Sequence, residues 1–324
     1  MPLAILLCLL TGCATATVTD DTPKFQSFAQ EMATEHDFDQ DRVVHLLASS
    51  ERQQSIIDAI SSPAEAMPWS RYRPIFLKEG RIRDGVAFWN EHEALLRRAA
   101  QTYGVPPAII VAIIGVETRY GSHQGHYRVI DALRTLAFDY PPRSAFFRRE
   151  LKQYLLLTRE EGLDPLDPTG SYAGAMGMPQ FISSSYRHYA VDFDGDGRRD
   201  LWNGTADAVG SVANYFAQHG WQAGRPIAVR ASVSGEAWRS LEDDGLEPNT
   251  TVAALRAAGV SPSESLPADA PARLTVLKGG DGDEYWVTLK NFYVITRYNH
   301  SPLYAMAVYQ LARAIEQRRN MAAR

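Results

Sequence analysis

The chain has 324 residues, 45% of them hydrophobic and 22% charged, with a formal net charge of −5. That is the composition of a soluble globular protein long enough for two or three domains. The acidic balance supplies no basic field, which excludes nucleic acid as an expected partner.

Residues 2–10 are almost wholly apolar and lead into Leu10-Thr11-Gly12-Cys13. The run is far shorter than the roughly 20 residues of a bilayer span and suits the core of a signal peptide. The quartet resembles a bacterial lipobox, whose cysteine becomes the lipidated first residue; a plain secretory peptide cleaved nearby is the alternative. Ala14 follows the cysteine, and by resemblance to lipoprotein sorting patterns this implies the outer membrane. Residues 1–13 are therefore expected to be a lipoprotein signal peptide with Cys13 as its lipidation site, and residues 14–23 a tether. Cys8 and Cys13 are the only cysteines. With one removed and the other acylated, no thiol remains for a disulfide, a zinc site or a nucleophile.

A helical region is expected over residues 24–104. Phe25, Phe28 and Met32 recur at spacings of three and four, and Val43, Val44, Leu46 and Leu47 mark a second short segment. Phe88, His92, Leu95, Leu96, Ala99 and Tyr103 predict one longer helix ending near Gly104. Pro106 and Pro107 then open an apolar run over 108–116 that continues to Gly121, too long for a buried strand and expected to be a buried helix. Ser144 is expected to cap a helix carrying Phe147, Leu151, Tyr154 and Leu155 and ending at Gly162. A further helix is expected over 207–219. Residues 105–223 thus form one helical core. From 224 to 297 the texture changes to a small β-rich insert, with strands expected over 227–233, 274–277, 285–289 and 292–296 and a short helix over 252–258. Ser301-Pro302 starts a last helix within 298–324, with Tyr304, Val308, Leu311 and Ile315 on one face.

Two constellations carry candidate chemistry. In Gly115-Val116-Glu117-Thr118-Arg119-Tyr120-Gly121, Glu117 stands at the end of the buried apolar helix. Burial disfavours a carboxylate, so its pKa should rise toward that of a general acid; a Glu117–Arg119 pair or an exposed helix end is the alternative. In Ser171-Tyr172-Ala173-Gly174-Ala175-Met176-Gly177-Met178-Pro179-Gln180-Phe181, the glycines allow close backbone approach. Gln180 offers a donor and an acceptor, and Tyr172 and Phe181 could stack on sugars or fill the core. Glu160, Glu161, Asp164 and Asp167 also lie in the core region and are expected to be solvated. His92-Glu93 does not continue into a metalloprotease motif, since Leu96 occupies the position of the second histidine.

A third constellation, Asp192-Phe193-Asp194-Gly195-Asp196-Gly197, places Asp192, Asp194 and Asp196 at positions 1, 3 and 5 of an EF-hand loop. Gly197 falls at 6, the Arg198 carbonyl at 7 and Asp200 at 9. Asn203 replaces the closing Glu at 12. The set suits calcium; a solvated turn is the alternative.

In this order the motifs resemble the lytic murein transglycosylase B family, whose core is similar to goose-type lysozyme. The resemblance includes Trp69-Ser70-Arg71-Tyr72-Arg73, Tyr103-Gly104-Val105-Pro106-Pro107, Ser211-Val212-Ala213-Asn214-Tyr215-Phe216 and Ile295-Thr296-Arg297-Tyr298-Asn299-His300-Ser301. It covers most of the chain from Trp69 onward. It implies a mainly α (α+β) fold: a lysozyme-like catalytic core with an N-terminal helical region and a small β insert. It implies Glu117 as the catalytic acid/base, Ser171 beside it, and Gln180, Phe181, Tyr215, Tyr298, Asn299 and Tyr304 as cleft residues. Tyr72 and Arg143 match more peripheral positions. Pro142 stands where some relatives carry a second Arg, and Ser183 where many carry Pro. Asp207 is implied as the carboxylate that closes the metal loop.

The implied activity is cleavage of the β-1,4 bond between N-acetylmuramic acid and N-acetylglucosamine, forming 1,6-anhydro ends in cell-wall turnover. A hydrolytic muramidase and a non-catalytic, calcium-bound glycan-binding lipoprotein are the alternatives. No cofactor is expected for the chemistry, and a structural calcium ion is expected in the Asp loop. The expected partners are peptidoglycan glycan strands and, through the lipid anchor, the membrane; the expected location is the periplasmic face of the outer membrane.

Overall fold

The computed structural model describes residues 22–61 and 67–322. The expected signal peptide, Cys13 and most of the expected tether lie outside the described residues. The chain divides into two compact units, Met1–Ser50 and Glu51–Arg324.

In the first unit, α1 (Thr22–His36) packs on α2 (Gln40–Ser49). Phe25, Phe28 and Met32 are buried along α1, and Val43 and Leu47 along α2, as their three- and four-residue spacings require. Asp39 caps α2, its Oδ1 accepting the Arg42 N–H at 2.8 Å.

The second unit opens with α3 (Gln54–Ile60), α4 (Trp69–Phe76), α5 (Glu79–Glu91) and α6 (Glu93–Tyr103). Next comes α7 (Pro107–Thr118), which has no polar face: Ala108 to Gly115 are all buried. A helix that is apolar all round must be covered all round. It packs on α5, α6, α11 (Thr205–Gln218) and α14 (Pro302–Ala322). After α7, β1 (Tyr127–Arg128) pairs antiparallel with β2 (Thr169–Gly170), and α8 (Val129–Asp139) and α9 (Ser144–Glu161) lie between them. The short α10 (Ser183–Tyr189) precedes α11.

Between α11 and α14 the chain forms an antiparallel five-stranded sheet. Its strands are β3 (Ala228–Val233), β4 (Thr250–Thr251), β5 (Val260–Pro262), β6 (Pro271–Lys278) and β7 (Asp283–Thr288), in the order β4-β6-β7-β3-β5. With α12 (Val252–Ala257) the sheet encloses its own core of Trp238, Val252, Leu255, Val260, Leu274 and Val287. Among the described residues no single helix is long and apolar enough to cross a membrane.

Three expected elements differ. The stripe from Phe88 to Tyr103 is not one helix. It bends at His92 (φ −112°, ψ 26°), so that α5 faces α14 while α6 faces α11. Ser144 is not a cap: a 3-10 turn over Pro141–Arg143 precedes it, and its hydroxyl donates to the Ala137 carbonyl at 2.5 Å. Residues 292–296 are not a strand but part of α13 (Lys290–Thr296). There the buried Asn291 ties the helix start to the loop after α11, its Oδ1 accepting the Gln222 N–H and its Nδ2 donating to the Gln222 and Arg225 carbonyls. Short apolar runs do not distinguish strand from helix, and here packing on α14 decides.

Just beyond α7 the Tyr120 ring is held between Gly85 of α5 and Gly115 of α7, with its hydroxyl donating to the Arg81 carbonyl at 2.8 Å. A Cβ at Gly115 would lie 2.6 Å from the Tyr120 Oη, and one at Gly85 2.5 Å from it. Helix propensity alone favours Ala over Gly by roughly 1 kcal/mol, so the sign of the effect is diagnostic. Gly115→Ala and Gly85→Ala should each destabilise by about 1–3 kcal/mol through overpacking, read as a lower urea midpoint with an unchanged slope.

Candidate active site

Glu117 lies in the last turn of α7 and is half-buried. One carboxylate oxygen, Oε1, accepts the Tyr304 hydroxyl at 2.5 Å. Tyr304 is near the N-terminus of α14, so the two central helices run antiparallel and bring residues 187 positions apart into contact. Burial pushes the Glu117 carboxyl up to about 7, against the smaller opposing pull of the Tyr304 hydrogen bond. Arg119 does not neutralise it: that guanidinium pairs with Asp84 at 3.3 Å.

The helix ends abruptly. Arg119 (φ 50°), Tyr120 (φ 59°) and Gly121 (φ 84°) are all left-handed. Two consecutive non-glycine residues in that region are strained and persist only where their surroundings hold them. The Tyr120 cradle does so, and so does Thr118, whose buried hydroxyl donates to the Met178 carbonyl at 2.9 Å and accepts the Gly121 N–H at 3.1 Å.

That Met178 contact belongs to the loop over residues 171–181. Its start is turned by Ser171, whose Oγ accepts the Ala173 and Ala175 N–H groups at 3.3 and 3.1 Å. Among the described residues no hydrogen bond joins Ser171 to Glu117. Gly177 is obligatory, because a Cβ there would lie 2.4 Å from the Leu201 carbonyl oxygen. Gln180 (φ 52°) donates from Nε2 to the carbonyls of Gln124 and Gly177 at 3.1 and 2.9 Å. Its amide nitrogen is therefore engaged by the loop itself. The Tyr298 hydroxyl donates to the Pro179 carbonyl at 2.6 Å, so consecutive carbonyls hang from α7 on one side and from the turn before α14 on the other.

Tyr298 also starts an aromatic belt. Its ring is parallel to Tyr304 at 6.4 Å and edge-on to Tyr215 at 4.8 Å, and Phe181 lies 5.7 Å from Tyr215 and 5.8 Å from Tyr298. Burial, then the nearby Glu117 charge, pushes the Tyr298 and Tyr304 hydroxyls well above their ordinary pKa, so both stay protonated donors. Tyr215 on α11 donates to the Arg297 carbonyl at 2.5 Å. The residue types left Phe181 and Tyr172 alike, and the resemblance implied Phe181 for the cleft; in the structure Phe181 is 2% exposed and Tyr172 40%. Asn299 is half-buried beside Tyr298. Tyr72 on α4 lies against Trp69 and Phe76, on the Tyr304 side. Arg143, beside Pro142 in the 3-10 turn, is held over the Phe146 ring at 4.5 Å.

Asp192, Asp194 and Asp196 converge, with one carboxylate oxygen from each within 4.8 Å of the others. Three oxygen donors at that spacing fit a hard cation. The Gly197, Gly195 and Asp196 N–H groups hold Asp192 below its ordinary pKa, and the Arg198 N–H donates to Asp196. Asp207 does not join the cluster. It is 2% exposed, and its two oxygens accept the Phe193 and Asp200 N–H groups at 2.7 and 2.8 Å. Burial raises its pKa, and it ties the two ends of the loop together. Phe193 anchors the same loop. Arg98 lies over its ring at 4.0 Å, and a Cβ at Gly210 would meet that ring at 2.5 Å.

Thr118, Gln124 and Phe193 were not singled out in the sequence. Each acts through tertiary contacts, and no spacing rule marks such a residue. Glu160 is exposed at the helix end, as expected, and pairs with Arg187; Glu161 is half-buried and pairs with Arg199.

Compared with known proteins, residues 20–313 match the transglycosylase SLT domain family. The chain is 44% identical over 305 residues to the membrane-bound lytic murein transglycosylase B of Escherichia coli (strain K12), covering 91% of this chain and 83% of that one. Its structure is similar to that of the soluble lytic transglycosylase SltB1 from Pseudomonas aeruginosa, with a TM-score of 0.88, 52% identity, and coverage of 92% of this chain and 100% of that one. It is similar also to the Escherichia coli lytic transglycosylase Slt35 solved in complex with calcium, with a TM-score of 0.84, 46% identity, and coverage of 92% and 94%. The likeness runs through both the helices around α7 and the small sheet, and the chain belongs to the transglycosylase SLT domain family, a lytic transglycosylase with that family's lysozyme-like fold.

Proposed function

We propose that Glu117 is the single acid and base of a lytic transglycosylase that cleaves the glycan strands of peptidoglycan. The observation that carries this reading is a half-buried carboxyl raised to about 7 whose Oε1 is held by Tyr304, leaving Oε2 for the substrate. Glycosidases that use two carboxylates place both beside the bond; here Glu160 and Glu161 are tied in ion pairs. Glu117 would first protonate the oxygen between N-acetylmuramic acid and N-acetylglucosamine. The substrate's acetamido group would stabilise the cationic carbon as that bond breaks. The ionised Glu117 would then take the proton of the muramoyl C6 hydroxyl as its oxygen closes a 1,6-anhydro ring. No water enters, and the enzyme ends protonated as it began. The same burial that makes Glu117 an acid makes its carboxylate a ready base.

The exposed Tyr172 and the half-buried Asn299 are assigned to direct sugar contact, with Ser171 and Gln180 shaping the backbone beneath. The Tyr215, Tyr298 and Phe181 rings line that wall, and Tyr72 and Arg143 extend it. Calcium is assigned to Asp192, Asp194 and Asp196 with the Arg198 carbonyl, as a structural ion with no chemical step; the cluster of carboxylates and the calcium-bound Slt35 structure support it. Cys13 is assigned as a lipid anchor holding the protein at the periplasmic face of the outer membrane. The Leu10-Thr11-Gly12-Cys13 motif and the membrane-bound relative support this.

Glu117→Gln should lower digestion of purified sacculi by about 10²–10⁴-fold or more, and mass spectrometry of wild-type digests should find anhydro ends. Reducing ends in their place would make the protein a hydrolase. Because the acid must be protonated, kcat/KM should fall as pH rises through about 7. Tyr304→Phe removes the bond that favours the carboxylate, so this limb should move alkaline by roughly one unit.

Calcium should raise the melting temperature of metal-free protein, by an amount set by mass action, and Asp192→Ala with Asp196→Ala should remove the response. An unchanged melting curve at millimolar calcium rejects the metal assignment. Cys13→Ser should move the protein from the membrane to the soluble fraction of cells. The anchor is rejected if wild-type protein carries no lipid at Cys13.

A further inference from the structure

A cavity of about 610 Å³ opens beside the turn that follows Glu117. None of the side chains assigned to the cleft lines it. Its walls are that turn, the end of α9 with the segment leading into β2, and residues 198–203 of the Asp-rich loop. Three lining groups are apolar: Leu163, 37% exposed, Pro168, and the indole of Trp202. The indole is fixed in place. Its Nε1 donates to the Thr169 carbonyl at 2.8 Å, and its ring lies 5.7 Å from that of Tyr186.

The polar lining includes an acceptor without a donor. Gln124 donates from Nε2 to the carbonyls of Gly121 and Trp202 at 3.2 and 2.9 Å. Two carbonyl partners fix the orientation of the amide, and its Oε1 is left buried with no hydrogen bond. Ser122 and Asn203 add exposed hydrogen-bonding groups. Three carboxylates, Glu161, Asp167 and Asp200, face two guanidiniums, Arg198 and Arg199, so the charges nearly cancel. Glu161 is paired with Arg199, and Asp200 Oδ1 accepts the Trp202 and Asn203 N–H groups. A fixed aromatic face, a few convergent polar groups and little net charge suit an uncharged ligand with one apolar face and several hydroxyl or amide donors. A pyranose ring bearing an acetamido group has that character.

We propose that this cavity is a second glycan-binding site, which takes N-acetylhexosamine rings of peptidoglycan against Trp202, apart from the cleft that holds Glu117. The inference rests on the reading that the protein acts on glycan. The site shares a wall with the cleft, since the Gln124 carbonyl also accepts Gln180. A strand seated there would be held close to the place of cleavage without being cut.

The test uses the full-length Glu117→Gln protein labelled with 5-fluorotryptophan, its Trp202 resonance assigned by Trp202→Phe. Titration with chitotetraose should shift that resonance saturably, and Leu163→Glu, on the opposite wall and exposed, should weaken the response roughly fivefold. The proposal is overturned if the Trp202 resonance stays still while other tryptophan signals saturate, or if Leu163→Glu has no effect. It is overturned equally if free stem peptide moves the resonance and the glycan does not. The readout is binding at one ring in a protein that does not turn over, so failure here is separable from failure of the Glu117 assignment, which is read from anhydro products.

Discussion

A carboxyl group at the end of a helix that is buried on every side is the constraint around which this structure is arranged. Glu117 lies two residues beyond the eight consecutive buried positions of α7 and is itself half-buried. Its ionised form is therefore costly. The fold supplies one modest compensation, the Tyr304 hydroxyl, and withholds the larger one, because Arg119 is drawn away to Asp84. A nearby cation would have produced an ordinary, permanently ionised carboxylate. Arg119 stands two positions beyond Glu117, and residues two apart do not face each other on a helix; its guanidinium meets Asp84 instead.

The elements around α7 differ in how they are held. The helices are secured by apolar packing, whereas the 171–181 loop is secured by hydrogen bonds from side chains to its backbone. That loop also buries Met176, Met178 and Phe181, but burial leaves its carbonyls in need of donors. The Asp-rich loop combines both means, with Phe193 packed between α6 and α11 and Asp207 bridging its ends.

What was legible in the sequence follows from this difference. The 3.6-residue spacing exposed α1, α9 and α14, and the unbroken apolar run exposed α7, because periodicity records which face is buried. Glu117 stood out as a charge at the end of such a run. The bend at His92 was hidden, since the apolar stripe continues through it while the partners on either side change. The segment 292–296 was mistaken for a strand because five apolar-rich residues have no period long enough to measure. Asp207 was implied as a metal ligand by the resemblance alone. Only the structure reveals that the Phe193 and Asp200 amides occupy its oxygens. Phe181 and Tyr172 are alike to a reader of residues, and differ only in which of them the fold covers.

The carbonyls of Met178 and Pro179 are suspended from Thr118 and Tyr298, and Glu117 itself is met by Tyr304. No continuous fragment therefore contains the site. A chain emerging from its N-terminus carries Glu117 long before it carries the two tyrosines that complete the surroundings of that residue. Until residues 298–304 arrive, the Pro179 carbonyl lacks its Tyr298 donor and the Glu117 carboxyl lacks Tyr304. The surroundings of Glu117 are thus completed late in synthesis, when α14 docks against α7.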